Sequence, residues 1–400
     1  MENGAHGNLA LVLTGGGARA AYQVGVLGGL ARRFPDLRIP ILVGVSAGAV
    51  NAVHLASHPG PFAGSVADLA GLWRGLTLER IFRVDAPALA QNLLRWGTRL
   101  LSGGSRGKVR SLLDTAPLRR LMQGHFATDG VFQGIGENVR RGVLGAVAIS
   151  GISYSTGQST VWAEGCCDIQ PWTRPRRRGV PTALTVDHVM ASAALPPFFP
   201  AVRIDGEWYG DGGVRLATPL SPAIHLGAGR ILVIATQGPS LAEGGPPAIL
   251  EYPPPAQVLG VLFDAVFLDA LDEDALRLRR VNGLIEKLPE EERGGFRKVD
   301  LLVLRPSRDL AGLAGDYERR LPPAFRFLTR GLGTREATRS EMLSLLLFEP
   351  DYVRRLMEIG EADAEERGDE VAAFLAGEVG SARGRTSVNG TQHAVGTHEA

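Results

Sequence analysis

The chain has 400 residues, 44% of them apolar and 21% charged, with a net charge of +1. That is enough apolar side chain for a sizeable core, and the balanced charge excludes a polyanion-binding surface as the organising feature, so no nucleic-acid partner is expected. Its two cysteines, Cys166 and Cys167, are adjacent, which excludes both a disulfide framework and a metal-ligand spacing; two reduced thiols fit a reducing compartment.

Residues 1–7 lack the basic residues of a signal peptide, and the apolar run 9–13 is too short for a signal core. No apolar stretch of about 18 residues occurs, so the expectation is a soluble, cytoplasmic protein with a flexible start at 1–7 and, at most, peripheral contact with a membrane. Residues 8–13 read as a buried strand ending in a glycine run, and 18–34 as a helix. A second strand follows at 39–43 and a second helix at 46–57. This alternation predicts an α/β fold with a mostly parallel sheet covered on both faces.

Residues 62–136 read as a mostly helical insertion with loops near 101–108 and 124–130. Leu93, Leu94, Trp96, Leu100 and Leu101 at helical spacing fit either a mobile lid or plain core. Strands at 145–156 and 159–164 flank a turn at Thr156-Gly157-Gln158. The run 174–179 carries four arginines, too much charge to bury, and reads as an exposed loop, either simply solvated or touching anionic lipid. A helix at 185–195 stops at Pro196-Pro197, and a strand pair brackets Asp205-Gly206. Strands at 230–237 and 299–306, a Pro- and Gly-rich loop at 242–255 and an amphipathic helix at 265–288 complete a folded unit spanning 8–375. The small, polar stretch 376–400 reads as a disordered tail.

Two sites in this framework carry chemistry. Gly44-Val45-Ser46-Ala47-Gly48 matches G-x-S-x-G between a strand and a helix, where a sharp turn exposes a serine hydroxyl above the sheet. A second match at 103–107 follows a helical segment and is read as a loop. Gly15-Gly16-Gly17-Ala18-Arg19-Ala20 is formally the dinucleotide fingerprint G-x-G-x-x-A, so a nucleotide-binding protein is a rival reading. That fingerprint expects an acid at the end of the second strand, and Ser46 stands there instead. The same loop suits an oxyanion hole, with backbone N–H groups meeting charge that develops on a carbonyl oxygen. Arg19 then either steadies the loop, meets an anionic head group or sits at the surface.

A nucleophilic serine needs a base within reach. His54 lies two helical turns from Ser46, roughly 12 Å along the axis, and His125, His188 and His225 sit in no motif that presents a base. Asp211, in Gly210-Asp211-Gly212-Gly213, is presented between glycines. The same pattern also describes a turn aspartate that binds its own backbone, and the residues alone leave both readings open.

Assembled, these blocks resemble the patatin-like phospholipases: G-G-G-x-R/K at Gly15, Gly16, Gly17 and Arg19; G-x-S-x-G at Gly44, Ser46 and Gly48; D-G-G at Asp211, Gly212 and Gly213. The stretch Ala191 to Pro196 and the run 345–364 resemble further parts of the family, so the similarity covers roughly 8–375. Ala20 departs from the family, which has glycine there. The resemblance implies a three-layer α/β/α sandwich and a Ser46–Asp211 dyad working without histidine or cofactor. It implies hydrolysis of carboxylic esters of phospholipids or related acyl lipids through an acyl-enzyme. No clustered carboxylates suggest a metal. Leu195, Phe198 and Phe199, in the segment leading to Asp211, either line an apolar path for the acyl chain or pack in the ordinary core. A catalytically silent interaction protein on the same fold is the other rival.

Overall fold

Five short apolar runs build the middle of the protein, and their buried side chains on both faces are what a parallel sheet between helical layers requires. The computed structural model describes residues 8–83, 111–125, 127–166, 169–215, 219–238, 258, 269–323, 325–326 and 341–378. Its strands are β1 (Leu9–Leu13), β2 (Ile41–Val45), β3 (Ala146–Ser153), β4 (Ser159–Gly165), β5 (Trp172–Arg174), β6 (Arg177–Pro181), β7 (Val202–Ile204), β8 (Glu207–Asp211), β9 (Arg230–Ile234) and β10 (Asp300–Leu304). The helices are α1 (Ala21–Arg33), α2 (Ala47–Ser57), α3 (Phe62–Arg74), α4 (Leu78–Ile81), α5 (Ala116–His125), α6 (Gln133–Arg140), α7 (Val186–Ser192), α8 (Ser221–His225), α9 (Asp269–Ile285), α10 (Leu310–Tyr317), α11 (Glu341–Leu346), α12 (Pro350–Glu366) and α13 (Gly368–Ala376).

The sheet order is β10-β9-β1-β2-β3-β4-β6-β5, with β10 through β3 mutually parallel and β4 antiparallel to β3. One face is covered by α1, α2 and α12, where Leu11, Leu13, Leu27, Val53 and Leu356 are buried together. The other face packs Ala10, Val12 and Val43 against Ala223, Leu271 and Leu278 of α8 and α9. This is the three-layer α/β/α arrangement. Among the described residues no helix is long and apolar enough to cross a membrane.

Several boundaries differ from the sequence reading. The second strand runs Ile41–Val45 rather than 39–43, because Pro40 has no N–H for the ladder and serves as an acceptor for Gly145 and Ala146 instead. The arginine-rich run at 174–179 is not a loop: β5 and β6 form a hairpin whose β6 pairs with β4. Charge on an edge hairpin is compatible with strand structure, since it discourages further pairing. Helix α7 ends at Ser192, short of Pro196. Of the 62–136 region, α3 to α6 are described. Residues 93–101, the second G-x-S-x-G match, the loop at 242–255 and the stretch 379–400 lie outside the described residues.

One feature of the register positions the site. β2 pairs with β3 as far as Val45 opposite Ser150, and β8 then pairs antiparallel with the remainder of β3, Asp211 opposite Gly151.

Candidate active site

Ser46 stands between β2 and α2 with φ 56° and ψ −128°, a conformation that non-glycine residues seldom adopt. Such a backbone stores about 1–3 kcal/mol and persists only where surrounding structure enforces it. The enforcement is visible. A Cβ on Gly44 would collide with Gly48 and Ala49, and one on Gly48 with the carbonyls of Leu13 and Thr14. Two glycines thus let the first turn of α2 press against the ends of β1 and β2. The Ser46 amide donates to the buried Ser192 Oγ at 3.0 Å.

Asp211 ends β8 and is fully buried. Its amide donates to the Ala194 carbonyl at 3.0 Å, and its Oδ1 accepts from the Gly213 amide at 2.8 Å. Its Oδ2 has no hydrogen-bond partner among the described residues. Burial pushes the carboxyl up to about 7, although the Ser46 hydroxyl and the Gly213 amide both favour the ionised form. The hydroxyl is therefore near enough to influence the acid without closing a full hydrogen bond, a looseness common in unliganded sites. The turn-aspartate role is real, but it occupies only one oxygen.

The glycine loop lies directly against Ser46. A Cβ on Gly15 would be 3.2 Å from Ser46 Cβ. Gly17, at φ 53°, backs onto the Leu345 carbonyl so closely that no side chain fits. The loop carbonyls are engaged: Gly15 O accepts from the Thr236 hydroxyl at 2.5 Å and Gly16 O from the Arg19 amide at 3.0 Å. The amides of Gly15, Gly16 and Gly17 have no partner among the described residues. Gly16 and Gly17 share a cavity with Ser46, whereas Gly15 does not line it.

Arg19 is not a surface residue, and its backbone N–H is not a spare oxyanion donor. Its amide is used by Gly16, and its buried guanidinium meets buried Glu341 at 2.7 Å. It fastens the loop to α11. Ala20, where the family has glycine, lies at φ −65° and ψ −10°, an ordinary helical conformation that a methyl group does not strain.

The cavity is walled by Leu72, Trp73, Leu118, Met122, Leu195 and Phe199, with Leu345, Leu346 and Phe348 from the C-terminal part. Leu195 and Phe199 thus line an apolar cavity, whereas Phe198 is core and does not line it. The described histidines are engaged elsewhere, His125 with the Leu121 carbonyl of its own helix. His54 meets the Ser65 carbonyl, His58 meets Asp68, His188 caps its own helix at Thr185, and His225 stacks on Trp172.

Sequence reasoning missed several supporting residues. Ser192 and Ala194 hold the amides of Ser46 and Asp211 from one short segment. Gln23 donates to the carbonyls of Thr14 and Ile234, Asn51 donates to Gln23, and Trp73 donates to Asn51 at 2.8 Å. That buried chain ties the cavity wall to the start of the glycine loop. A polar residue on each of two apolar helices, Gln23 and Asn51, was its only signal.

This fold, with a serine elbow at its central strands, is the architecture of the patatin class of α/β/α proteins. The family model for patatin-like phospholipase matches residues 11–224, more than half the chain. The chain belongs to the patatin-like phospholipase family. Among solved structures it is similar to human GIVD cytosolic phospholipase A2, with a TM-score of 0.50 and 12% identity over 94% of this chain. It spans 60% of that protein's length. VipD from Legionella pneumophila is also similar, with a TM-score of 0.38 and 12% identity over 91% of this chain and 67% of VipD. No curated protein sequence matches.

Proposed function

We propose that the chain is a serine acyl hydrolase that cleaves carboxylic ester bonds of phospholipids or related acyl lipids. The observation that carries this reading is a fully buried carboxylate, Asp211, with one oxygen unpaired beside the hydroxyl of a strained serine at an apolar cavity. A base tuned to about 7 is matched to work near neutral pH.

In this mechanism the acyl chain enters the cavity, bringing the ester carbonyl to Ser46. Asp211 takes the hydroxyl proton as the Ser46 oxygen attacks. The free amides of Gly16 and Gly17 receive the oxyanion, with the N-terminus of α2 adding favourable polarity. Asp211 passes its proton to the leaving alcohol or lysolipid. It then deprotonates the water that releases the acid from the acyl-enzyme. A dinucleotide is the poorer fit, because apart from Arg19 and Ser46 the side chains lining the cavity beside the loop are aliphatic and aromatic, with no acid among the described residues.

A fluorophosphonate carrying a long alkyl chain tests this directly. The wild-type chain should label covalently and Ser46→Ala should not. Undiminished labelling of Ser46→Ala, or no ester hydrolysis by well-folded wild-type protein, would overturn the reading.

A further inference from the structure

The strand register gathers three turns at the edge of the sheet where Ser46 stands. β3 continues past Ser150, the partner of Val45, to Ser153, so the turn at 154–158 begins roughly 13 Å beyond the elbow. β8 pairs antiparallel with that extension, which carries the Asp205-Gly206 turn between β7 and β8 equally far. β4 starts at Ser159, and β6 pairs with it from Arg177, so the turn between β5 and β6 lies at this edge too.

The rim these turns form is basic and aromatic. Arg174, Arg176, Arg203 and Arg215 are exposed, and none has a carboxylate partner among the described residues. The acids of the rim are Asp205 and Glu207, and Glu207 is bound by Arg178. Tyr154 is 49% exposed and Trp208 39%, on segments joined by the Tyr154 amide and the Trp208 carbonyl.

We propose that this rim is a docking surface for an anionic lipid bilayer. Arginines without carboxylate partners are drawn to anionic head groups, and Trp and Tyr settle at head-group depth because their rings are amphipathic. A bilayer is the one partner that offers negative charge, an apolar boundary and acyl esters together, beside a site with an apolar cavity. The last of these arguments rests on the acyl-hydrolase reading; the surface chemistry does not.

The test is vesicle binding by the full chain carrying Ser46→Ala, which prevents turnover. Phosphatidylcholine vesicles with and without phosphatidylglycerol are compared by co-sedimentation. Binding should rise with phosphatidylglycerol and weaken as salt is added. Combined Arg174→Glu, Arg176→Asp and Arg203→Glu should reduce it at least about tenfold, and Trp208→Ser should reduce it with all arginines present. Equal binding to neutral and anionic vesicles, or binding indifferent to salt, would overturn the proposal without recourse to any surface variant. With Ser46 restored, the triple variant should hydrolyse a short soluble ester at the wild-type rate while losing turnover on anionic vesicles. Charge-dependent vesicle binding by a chain that hydrolyses no ester would support the docking surface and sink only the enzymatic reading.

Discussion

Val45 and Asp211 face consecutive residues of β3, Val45 opposite Ser150 in parallel register and Asp211 opposite Gly151 in antiparallel register. β8 takes up the edge of β3 at the point where β2 turns away into the elbow. The carboxylate is thus delivered to the serine by ladder hydrogen bonds, not by a loop. Ser192 and Ala194 then hold the two amides from a third direction.

The first consequence concerns pH. In the proposed mechanism Asp211 acts as a base only when ionised, and burial holds its carboxyl up to about 7. Values of kcat/KM on a soluble ester should therefore rise about tenfold per pH unit below that point and level off above it. Asp211→Asn should lose roughly 10²–10⁴-fold at every pH. A flat wild-type profile through neutrality would remove Asp211 as the base.

The same burial has the opposite sign for stability. The folded carboxyl titrates above its unfolded value of 3.8, so folding favours the protonated form. The stabilisation is fully present below the unfolded value and is lost as pH rises through about 7, up to about 4 kcal/mol in total. The melting temperature of Asp211→Asn relative to wild type should therefore climb from acidic to mildly alkaline buffer. A difference independent of pH would contradict the burial argument. Activity and stability are thus set against each other at one side chain, as active sites often require.

Ser192→Ala removes the acceptor of the Ser46 amide without touching the cavity, which Ser192 does not line. An unsatisfied buried amide costs about 1–3 kcal/mol. Part of that cost should appear as relaxation of the strained elbow. The expected signature is a fall in kcat of about tenfold or more with KM on a soluble ester unchanged. Slower fluorophosphonate labelling should accompany it. If KM rises and kcat holds, Ser192 does not position the nucleophile.

The elbow was legible because its determinants are local: an apolar run, two glycines and a small-residue helix within one short segment. Asp211 was only half legible. Its glycine neighbours announce a turn, and its placement toward Ser46 comes from a register across β3 that no local pattern encodes. Arg19 was least legible, since its partner Glu341 lies 322 residues away. The β5–β6 hairpin was misread for the converse reason: its charge is a local signal, but its pairing with β4 is not.

That long-range partnership yields the last prediction. Arg19 and Glu341 are 2.7 Å apart with side chains only 3% and 8% exposed, and Arg19 Nε already lacks a partner among the described residues. Removing Glu341 alone leaves a guanidinium buried and unpaired, which should cost roughly 3–5 kcal/mol, whereas replacing both partners by apolar side chains of similar size should be close to neutral. Denaturant unfolding of Glu341→Ala and of the Arg19→Met, Glu341→Leu double variant measures the two cases. Because α11 backs Gly17 and supplies Leu345 and Leu346 to the cavity, Glu341→Ala should also slow labelling of Ser46. The double variant should recover stability ahead of labelling, since hydrophobic packing can replace the ion pair's cohesion but not the fixed angle at which it holds the glycine loop. If Glu341→Ala unfolds at the wild-type midpoint, the pair does not fasten the C-terminal segment to the site.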